Sequence, residues 1–350
     1  MKALLWSLVS LAAIGTIAVS LFVLRPFGGD TQGNGGGTPK ENPVASSGKQ
    51  TFHIEEDGVQ REFIVYRPEN LSVDEEVPVV YMFHGSGQSG EIFYKDSGWV
   101  DQADAGGFMV VFPTALKYHV FSEEKVVKGQ VKNDVAVYQS KWNSYELASL
   151  LDPKYPGQEL ADDMDFTRDM VAFVNDNYAT DTSRIYATGF SNGASFTSRL
   201  AVEATDIFAA FAPTSAGRII DGVLAAVAED DGESFTPRPV IQVIGSLDPK
   251  LTHAAEVEEF TTDESANTDG DAIKESYISG WIALEGLEDS YTYESISGSG
   301  HFTYADSTTG ADNEYQLYVI DGMKHVYPNG ENFRFDVTDV YWDFFKQYSL

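Results

Sequence analysis

The feature that most constrains this chain is the sequence Gly-Phe-Ser-Asn-Gly at positions 189–193. Before it, residues 184–188 alternate β-branched, aromatic and small side chains, which predicts a short buried strand. After it, residues 194–201 can form a helix. A serine on such a sharp turn needs glycine on both sides, because strand and helix approach too closely for a Cβ atom. Ser191 is therefore predicted to be a nucleophile, held above a sheet beside the positive end of a helix.

Two later stretches supply the partners of a serine nucleophile, an imidazole that removes its proton and a carboxylate that orients the imidazole. Residues 238–244 predict a buried strand, and Asp248 lies in the turn after it. Residues 315–320 predict another strand, and His325 lies on the loop that leaves it. The order serine, acid, histidine along the chain is the one that accompanies a nucleophile on this type of turn.

Other residues are alternatives for these two roles. Asp221 and Asp263 are further candidates for the acid, because acidic side chains are abundant in this chain. Among the six histidines, His301 is the one serious rival, although no strand is predicted to lead directly into it. The position on a loop after a strand favours His325 and Asp248.

An early glycine-rich loop predicts an oxyanion hole. The apolar residues 77–83 predict a strand, which ends in the loop 84–90. A loop in this position supplies one backbone N–H of the hole, and the residue after the nucleophile supplies the other. The predicted donors are therefore Asn192 and Ser86, with Gly87 as the neighbouring alternative to Ser86. The other interpretation of the loop is a flexible turn that links strand and helix.

Two long stretches, residues 117–160 and 256–313, are interpreted as insertions near the site, because active-site loops follow the carboxyl ends of strands. Trp142 is the candidate for stacking on an aromatic acyl group. His84, which begins the glycine-rich loop, and Tyr327, which follows the candidate histidine, are also predicted to contact the substrate. The alternative is that the aromatic residues only pack the insertions against the body of the protein.

These motifs resemble those of the polyhydroxybutyrate depolymerase and feruloyl esterase family of secreted α/β-hydrolases. The matching stretches, in the usual order of that family, are 77–85, 162–166, 181–194, 245–249 and 322–325. The resemblance covers residues 50 to 350. It implies ester hydrolysis by a Ser–His–Asp triad without a metal or organic cofactor. The implied substrates are feruloyl or acetyl esters of polysaccharides, or short hydroxyalkanoate polyesters.

The chain departs from the family pattern in three places. Val326, Tyr327 and Pro328 stand where a Thr-Trp-Pro-like run usually follows the histidine. Members of the family often carry disulfides, whereas this chain has no cysteine. The segment between Asp248 and His325 is also long. These departures do not change the expected fold and chemistry, but they affect which substrate is expected.

The alternation of predicted strands and helices indicates an α/β protein. We expect an α/β-hydrolase fold, with a mostly parallel central sheet and helices on both faces. Residues 336–348 place apolar side chains at helical spacing and predict a final helix packed on that sheet. The length suits one catalytic domain, assigned to residues 51–350.

The N-terminal part of the chain predicts export. Residues 1–27 contain an uncharged apolar stretch that is long enough to span a bilayer as one helix or to act as a signal sequence. An uncleaved membrane anchor is favoured, because cleavage after Ser20 would leave an unusually apolar new terminus. Residues 28–50 are rich in glycine and polar side chains, which is typical of a flexible linker. The domain is therefore expected outside the cytoplasm, extracellular or periplasmic, with the N-terminal segment as its one membrane contact.

The charge of the chain limits its partners. Fifty-four acidic residues against 23 basic ones give a net charge of −31. Nucleic-acid binding is not expected, because the neutralisation of phosphates needs basic patches. Anionic membranes and polyanionic substrates should be repelled as well. Residues 267–271 fail the calcium-loop pattern, since glycine stands at the wrong position, so no metal site is predicted.

The favoured interpretation is an exported serine carboxylesterase. A peptidase or an acyltransferase would use the same apparatus. The rival from another functional class is a tethered, non-catalytic carbohydrate-binding protein on the same fold. Binding alone would not require the serine, the aspartate, the histidine and the glycine-rich loop together.

Overall fold

The computed structural model describes residues 46–56, 58–122, 125–127, 130–132, 135–229, 235–311 and 313–350. The predicted membrane segment and most of the predicted linker lie outside these ranges. Within them, no helix combines the length and the apolar character that crossing a bilayer requires. The first strand begins at Gly48, so the folded part starts slightly before the predicted boundary at residue 51.

Ten strands of the described residues form one central sheet, and four short strands form two hairpins outside it. In chain order the strands are β1 (Gly48–Glu56), β2 (Val59–Arg67), β3 (Val77–Phe83), β4 (Met109–Pro113), β5 (Lys117–Ser122), β6 (Lys125–Val127), β7 (Gln130–Lys132), β8 (Val135–Ser140), β9 (Thr180–Phe190), β10 (Ala210–Thr214), β11 (Val240–Gly245), β12 (Thr292–Ile296), β13 (Ser299–Tyr304) and β14 (Tyr315–Ile320).

The order of strands in the central sheet is β1-β2-β4-β3-β9-β10-β11-β14-β13-β12. The middle run from β4 to β14 is parallel throughout. The strands β1 and β2 at one edge, and β12 and β13 at the other, are antiparallel to their neighbours. The carboxyl ends of the parallel strands therefore meet along one edge of the sheet, where sites of α/β proteins form.

Helices cover the sheet. They are α1 (Gly90–Asp96), α2 (Trp99–Gly106), α3 (Leu147–Leu150), α4 (Asp163–Asn177), α5 (Asn192–Glu203), α6 (Asp221–Glu229), α7 (Pro249–Ala254), α8 (Ser279–Leu284) and α9 (Val337–Phe345), with a 3₁₀ turn at Glu264–Asn267 and a π turn at Lys274–Ile278. The predicted final helix corresponds to α9.

Two hydrophobic clusters lie on opposite faces of the sheet, and β3 contributes to both because its side chains alternate between the faces. Tyr81 belongs to the cluster that includes Phe166 of α4 and Phe196 of α5. Met82 belongs to the cluster that includes Trp99 of α2 and Phe345 of α9. All seven residues of β3 are buried, as expected for a strand covered on both sides. The predicted mostly parallel sheet with helices on both faces is confirmed.

The two stretches interpreted as insertions differ from each other. The described residues of 117–160 lie outside the central sheet and form the hairpins β5·β8 and β6·β7 together with α3. Residues 292–304, by contrast, form β12 and β13 and extend the central sheet at the edge beside β14. The interpretation of all of 256–313 as an insertion was therefore wrong. Strand β12 is largely exposed and polar, so it lacks the apolar run by which the buried strands were recognised.

Candidate active site

Ser191 stands on a strained turn between β9 and α5. Its backbone has φ of 54° and ψ of −119°, a region that residues other than glycine rarely adopt. Its N–H donates to the carbonyl oxygen of Thr214, 2.9 Å away, which ties the turn to β10. A Cβ atom on Gly189 would lie 2.3 Å from the oxygen of Gly193, and one on Gly193 would lie 2.1 Å from the oxygen of Phe83. Both flanking glycines are thus required by close backbone packing.

The structure brings together the three residues that the sequence predicted as nucleophile, base and acid. The Nε2 atom of His325 lies 2.9 Å from the Oγ atom of Ser191, and its Nδ1 atom lies 2.7 Å from Oδ2 of Asp248. Because a carboxylate only accepts hydrogen bonds, Nδ1 carries the proton and Nε2 is left to accept the serine hydroxyl. Ser191 is 8% exposed and Asp248 is completely buried. The arrangement can therefore move a proton from the hydroxyl to the imidazole.

The carboxylate of Asp248 uses its two oxygens for different tasks. Its Oδ1 atom accepts the N–H groups of Lys250 and Leu251, at 3.0 and 3.4 Å, and so caps helix α7. Its Oδ2 atom faces His325. Pro249 occupies the first turn of α7, where its missing N–H costs nothing. The cap fixes the carboxylate in one orientation without occupying the oxygen that meets the imidazole.

The loops that carry the acid and the histidine are bonded to each other. The N–H of Leu247 donates to the oxygen of Met323 at 3.0 Å, and the N–H of Gly322 donates to the hydroxyl of Ser246 at 3.0 Å. A Cβ atom on Gly245 would lie 2.1 Å from the same Met323 oxygen. The distance between acid and histidine is therefore set by backbone contacts as well as by the side chains.

The alternative acid and base residues lie elsewhere. Asp263 caps the 3₁₀ turn through the N–H of Ser265, and Asp221 begins α6. His301 lies within β13, where it contacts the side chain of Gln316 at 3.0 Å. Burial lowers the pKa of His301. None of the three residues is a partner of Ser191 or His325.

The backbone of the glycine-rich loop distinguishes Ser86 from its neighbours. The N–H of Gly85 donates to Oε1 of Gln88 at 3.1 Å, and the N–H of Gly87 donates to the oxygen of Ser140 at 2.9 Å. Among the described residues, no acceptor meets the N–H of Ser86 or of Asn192. Both residues line the cavity that contains Ser191. Ser86, rather than Gly87, is therefore left with a donor for an oxyanion.

His84 does not contact the cavity, contrary to prediction. Its ring is completely buried, and its Nε2 atom accepts the N–H of Ala115 at 3.0 Å. Nδ1 therefore carries the proton, and it lies 2.7 Å from the oxygen of Gly85. Burial lowers the pKa of His84 to about 4, which keeps the ring neutral. The side chain fixes the start of the glycine-rich loop instead of binding substrate.

Trp142 is likewise buried and does not line the cavity, so the prediction that it stacks on an acyl group was wrong. Its indole N–H donates to the oxygen of His84 at 2.9 Å, and its ring stacks on Phe196 of α5. Its backbone N–H donates to Oδ1 of Asn192 at 2.7 Å. Trp142 thus connects the glycine-rich loop to the turn that carries Ser191.

Tyr327 anchors the loop of the histidine. Its hydroxyl accepts the indole N–H of Trp99 at 2.7 Å, and its ring packs against Phe93 and Phe190. Burial raises the pKa of the Tyr327 hydroxyl. The residue also lines a second cavity of about 290 Å³ that reaches His325. Contact between Tyr327 and a substrate stays a prediction.

Ser191 and His325 open into a cavity of about 460 Å³. Its wall includes residues that the sequence analysis missed. Ser215, Arg218 and Ile219 lie on the loop after β10, Lys250 lies on α7, and Tyr277 lies in the π turn. Ser215 is unusual, since its φ is 55° and its buried hydroxyl has no hydrogen-bond partner among the residues that the structure describes. Loops at the carboxyl ends of parallel strands form the site in this type of fold. The residues after β10 could have been found by this rule, but the sequence analysis did not predict that strand.

Comparison with known proteins gives relatives for part of the chain. No protein-family model matches the sequence. A bifunctional acetylxylan esterase/xylanase of Neocallimastix patriciarum is 26% identical over 198 residues, which are 57% of this chain and 23% of that protein. A feruloyl esterase B of Thermothelomyces thermophilus is 22% identical over 198 residues, 55% of each protein. The chain thus matches about a quarter to about half of the length of these curated relatives.

Among solved structures, the acetyl xylan esterase from Aspergillus awamori matches 85% of this chain and 99% of its own, with a TM-score of 0.51. The two sequences are 17% identical in this match. At this identity the likeness shows that the two proteins share a fold.

Proposed function

We propose that this chain is a feruloyl esterase-type α/β-hydrolase, a serine carboxylesterase whose triad is Ser191, His325 and Asp248. One observation carries the proposal. The imidazole of His325 lies within hydrogen-bond distance of both the Ser191 hydroxyl and the Asp248 carboxylate. Ser191 lies on a strained turn, its hydroxyl faces the imidazole of His325, and the carboxylate of Asp248 orients that imidazole. This is the arrangement of an activated serine nucleophile.

In the proposed reaction, His325 takes the proton of Ser191 while the serine oxygen attacks the carbonyl carbon of an ester. Asp248 holds the Nδ1–H and stabilises the imidazolium that forms. The N–H groups of Ser86 and Asn192 donate to the oxygen that becomes negative. His325 then protonates the leaving alcohol, and an acyl-enzyme remains. Water, deprotonated by His325, attacks this acyl-enzyme, and the acid is released with Ser191 restored.

For the substrate we propose acetyl or feruloyl esters of polysaccharides. Relatives named acetylxylan esterase and feruloyl esterase favour this class over the polyesters that the sequence also suggested. A cavity of about 460 Å³ has the size of a site for an acyl group or a sugar ring. We further propose, from the apolar N-terminal segment alone, that the enzyme is exported.

The test compares the wild-type protein with Ser191→Ala on 4-nitrophenyl acetate, methyl ferulate, acetylated xylan and hydroxybutyrate oligomers. We expect kcat to fall by about 10⁴-fold or more in the variant, as for the loss of other serine nucleophiles. Ser149→Ala is the matched control, because Ser149 is exposed on α3 and does not line the cavity. The ranking of the four esters by kcat/KM identifies the substrate class.

Covalent labelling gives a second readout. A fluorophosphonate probe should modify the wild-type protein at Ser191 and leave Ser191→Ala unmodified, as shown by peptide mass spectrometry. If Ser191→Ala keeps its esterase activity, the proposed nucleophile is wrong. If the folded wild-type protein is neither labelled nor active on any ester, the non-catalytic binding protein becomes the better interpretation.

A further inference from the structure

The catalytic cavity reverses the charge of the chain as a whole. Acidic residues outnumber basic ones 54 to 23 in the sequence. The described lining of the cavity includes Lys141, Arg218, Lys250 and His253, whereas Glu146 is its one carboxylate. A wall that followed the composition of the chain would carry about twice as many acids as bases. The lining of the cavity is therefore enriched in basic side chains, although the chain as a whole is acidic.

These basic residues come from three separate parts of the fold. Lys141 follows β8, Arg218 lies on the loop after β10, and Lys250 is on α7 after β11. Arg218 lies close in sequence to Thr214, whose oxygen accepts the N–H of Ser191, and Lys250 lies two residues after Asp248 of the proposed triad. Convergence of separate loops on one cavity is how binding sites form at the carboxyl edge of a parallel sheet.

Among the described residues, Arg218 has one exposed carboxylate partner and Lys250 has none. The nearest ion-pair partner of Arg218 is Glu146 at 3.9 Å, with the two side chains 43% and 52% exposed. Such an exposed pair contributes little energy and separates easily. Within the described part of the chain, no carboxylate forms an ion pair with Lys250. Both cations are therefore able to meet an anion that enters the cavity.

The net charge of −31 does not cancel this attraction for a small anion. At physiological ionic strength the Debye length is about 8 Å, so the distant acidic surface is largely screened. Cations within a few ångströms of a bound group are screened much less. A polyanion is repelled by the whole surface, whereas a single carboxylate near the ester is attracted by the wall of the cavity.

We propose that Arg218 and Lys250 form a carboxylate-binding subsite, so that the preferred ester carries one carboxylate in its acyl or alcohol part. This inference rests on the proposed esterase function and names a chemical property of its substrate. Arg218 offers a forked donor suited to a carboxylate, and Lys250 adds a second positive charge. The two side chains select the substrate and take no part in the proton transfers.

Two matched pairs of esters test the subsite. The acyl pair is mono-4-nitrophenyl adipate and its terminal amide, and the alcohol pair is 4-acetoxybenzoate and 4-acetoxybenzamide. In each pair the anionic and neutral members have nearly the same shape. The measured quantity is the ratio of kcat/KM for the anionic member to kcat/KM for the neutral one. A comparison of this ratio between protein variants cancels the intrinsic reactivity of the two esters.

We expect the ratio to fall about tenfold in Arg218→Gln/Lys250→Gln for one of the pairs, because the variant removes both positive charges that would attract the carboxylate. The pair that responds identifies whether the carboxylate belongs to the acyl or the alcohol part. Lys154→Gln removes an exposed lysine that does not line the cavity and should leave both ratios unchanged. Circular dichroism verifies that the variants are folded.

Calorimetric titration of adipate into Ser191→Ala measures the subsite apart from turnover, and the Arg218→Gln/Lys250→Gln changes should weaken this binding about tenfold as well. Equal ratios in the wild type and the double variant for both pairs, with unaltered adipate binding, would overturn the subsite. In that case, the proposed esterase function would still be supported if the wild type hydrolyses neutral esters and Ser191→Ala does not hydrolyse them. Hydrolysis that persists in Ser191→Ala would instead overturn the proposed function.

Discussion

Arg61 on β2 and Asp163, the first residue of α4, form an ion pair of 2.5 Å in which each side chain is only 1% exposed. The second carboxylate oxygen of Asp163 accepts the N–H of Asn143 at 2.6 Å. The oxygen of Asn143 in turn accepts a guanidinium N–H of Arg199 on α5, the helix that follows Ser191, at 2.7 Å. A buried ion pair and two part-buried hydrogen bonds therefore connect strand β2 to the helix of the candidate nucleophile.

The buried pair predicts a large effect on stability. Asp163→Asn would keep the shape of the side chain and remove the closer of the two carboxylates that pair with Arg61, so that only Glu56, at 3.4 Å, would remain. We expect the free energy of unfolding to fall by about 3 kcal/mol, measured by urea denaturation. Asp206→Asn is the control, since its pair with Arg168 is more exposed and should cost under about 1 kcal/mol. Equal losses in the two variants would contradict the prediction.

The divided roles of the Asp248 oxygens predict a variant that folds and does not turn over. In Asp248→Asn the amide oxygen can still cap α7, whereas the amide NH₂ would face Nδ1 of His325 and favour the wrong tautomer. We expect kcat on 4-nitrophenyl acetate to fall by about 10⁴-fold. The midpoint of thermal unfolding should change little, because the cap is retained.

Asp263→Asn is the matched control for this prediction, because Asp263 also caps a turn and was the alternative acid in the sequence. Its kcat should equal that of the wild type. A large loss of kcat in Asp263→Asn, with none in Asp248→Asn, would reverse the assignment of the acid.

Glu285 predicts how stability depends on pH. Its side chain is completely buried and accepts the backbone N–H of Arg238 and the amide of Asn313. Burial raises the pKa of Glu285 to about 8 from its ordinary value of 4.5. Between these two values the unfolded chain has lost the proton and the folded chain keeps it. The free energy of unfolding should therefore fall as pH rises through this window, by up to about 1.4 kcal/mol per pH unit from this group.

Glu285→Gln removes the titration and keeps both hydrogen bonds to the remaining oxygen. Urea denaturation at pH 5, 6, 7 and 8 should show a smaller loss of stability with rising pH in the variant than in the wild type. The difference between the two proteins should grow toward pH 8. Parallel curves would mean that Glu285 is ionised in the folded protein across this range.

Several of the buried parallel strands, although not β10, and the order of the proposed triad were predictable from sequence. The bounds of β3 and β14 coincide with the predicted strands, since each is a short apolar run between turn residues. Ser191, Asp248 and His325 followed from their positions on loops after strands. Parallel topology brings such loops to one edge of the sheet however far apart they are in sequence.

The walls of the site were less predictable. Trp142 lies in an irregular segment, where no periodicity indicates whether a side chain points inward or toward the cavity. In the structure, its indole N–H donates to the backbone oxygen of His84, and the ring is buried. Arg218 and Lys250 line the same cavity only because loops after two different strands converge, and the order of charges along the sequence does not show this convergence.

Ser215 carries two costs at one position. Its φ of 55° is unfavourable for a residue with a side chain, and its buried hydroxyl has no partner among the described residues. Each cost is about 1 kcal/mol or more, and a glycine would remove both while losing about 1 kcal/mol of chain entropy. We therefore expect Ser215→Gly to raise the free energy of unfolding by about 1 kcal/mol in urea denaturation.

Ser297→Gly separates the two contributions to this gain. Ser297 also has a positive φ, of 53°, but it lies exposed in the turn between β12 and β13, where water satisfies its hydroxyl. Its replacement relieves backbone strain alone, so the stability gain should be smaller than for Ser215→Gly. An equal gain in the two variants would mean that the Ser215 hydroxyl carries no penalty. A loss of stability in Ser215→Gly would mean that the hydroxyl has a partner, such as a bound water, that outweighs the backbone strain.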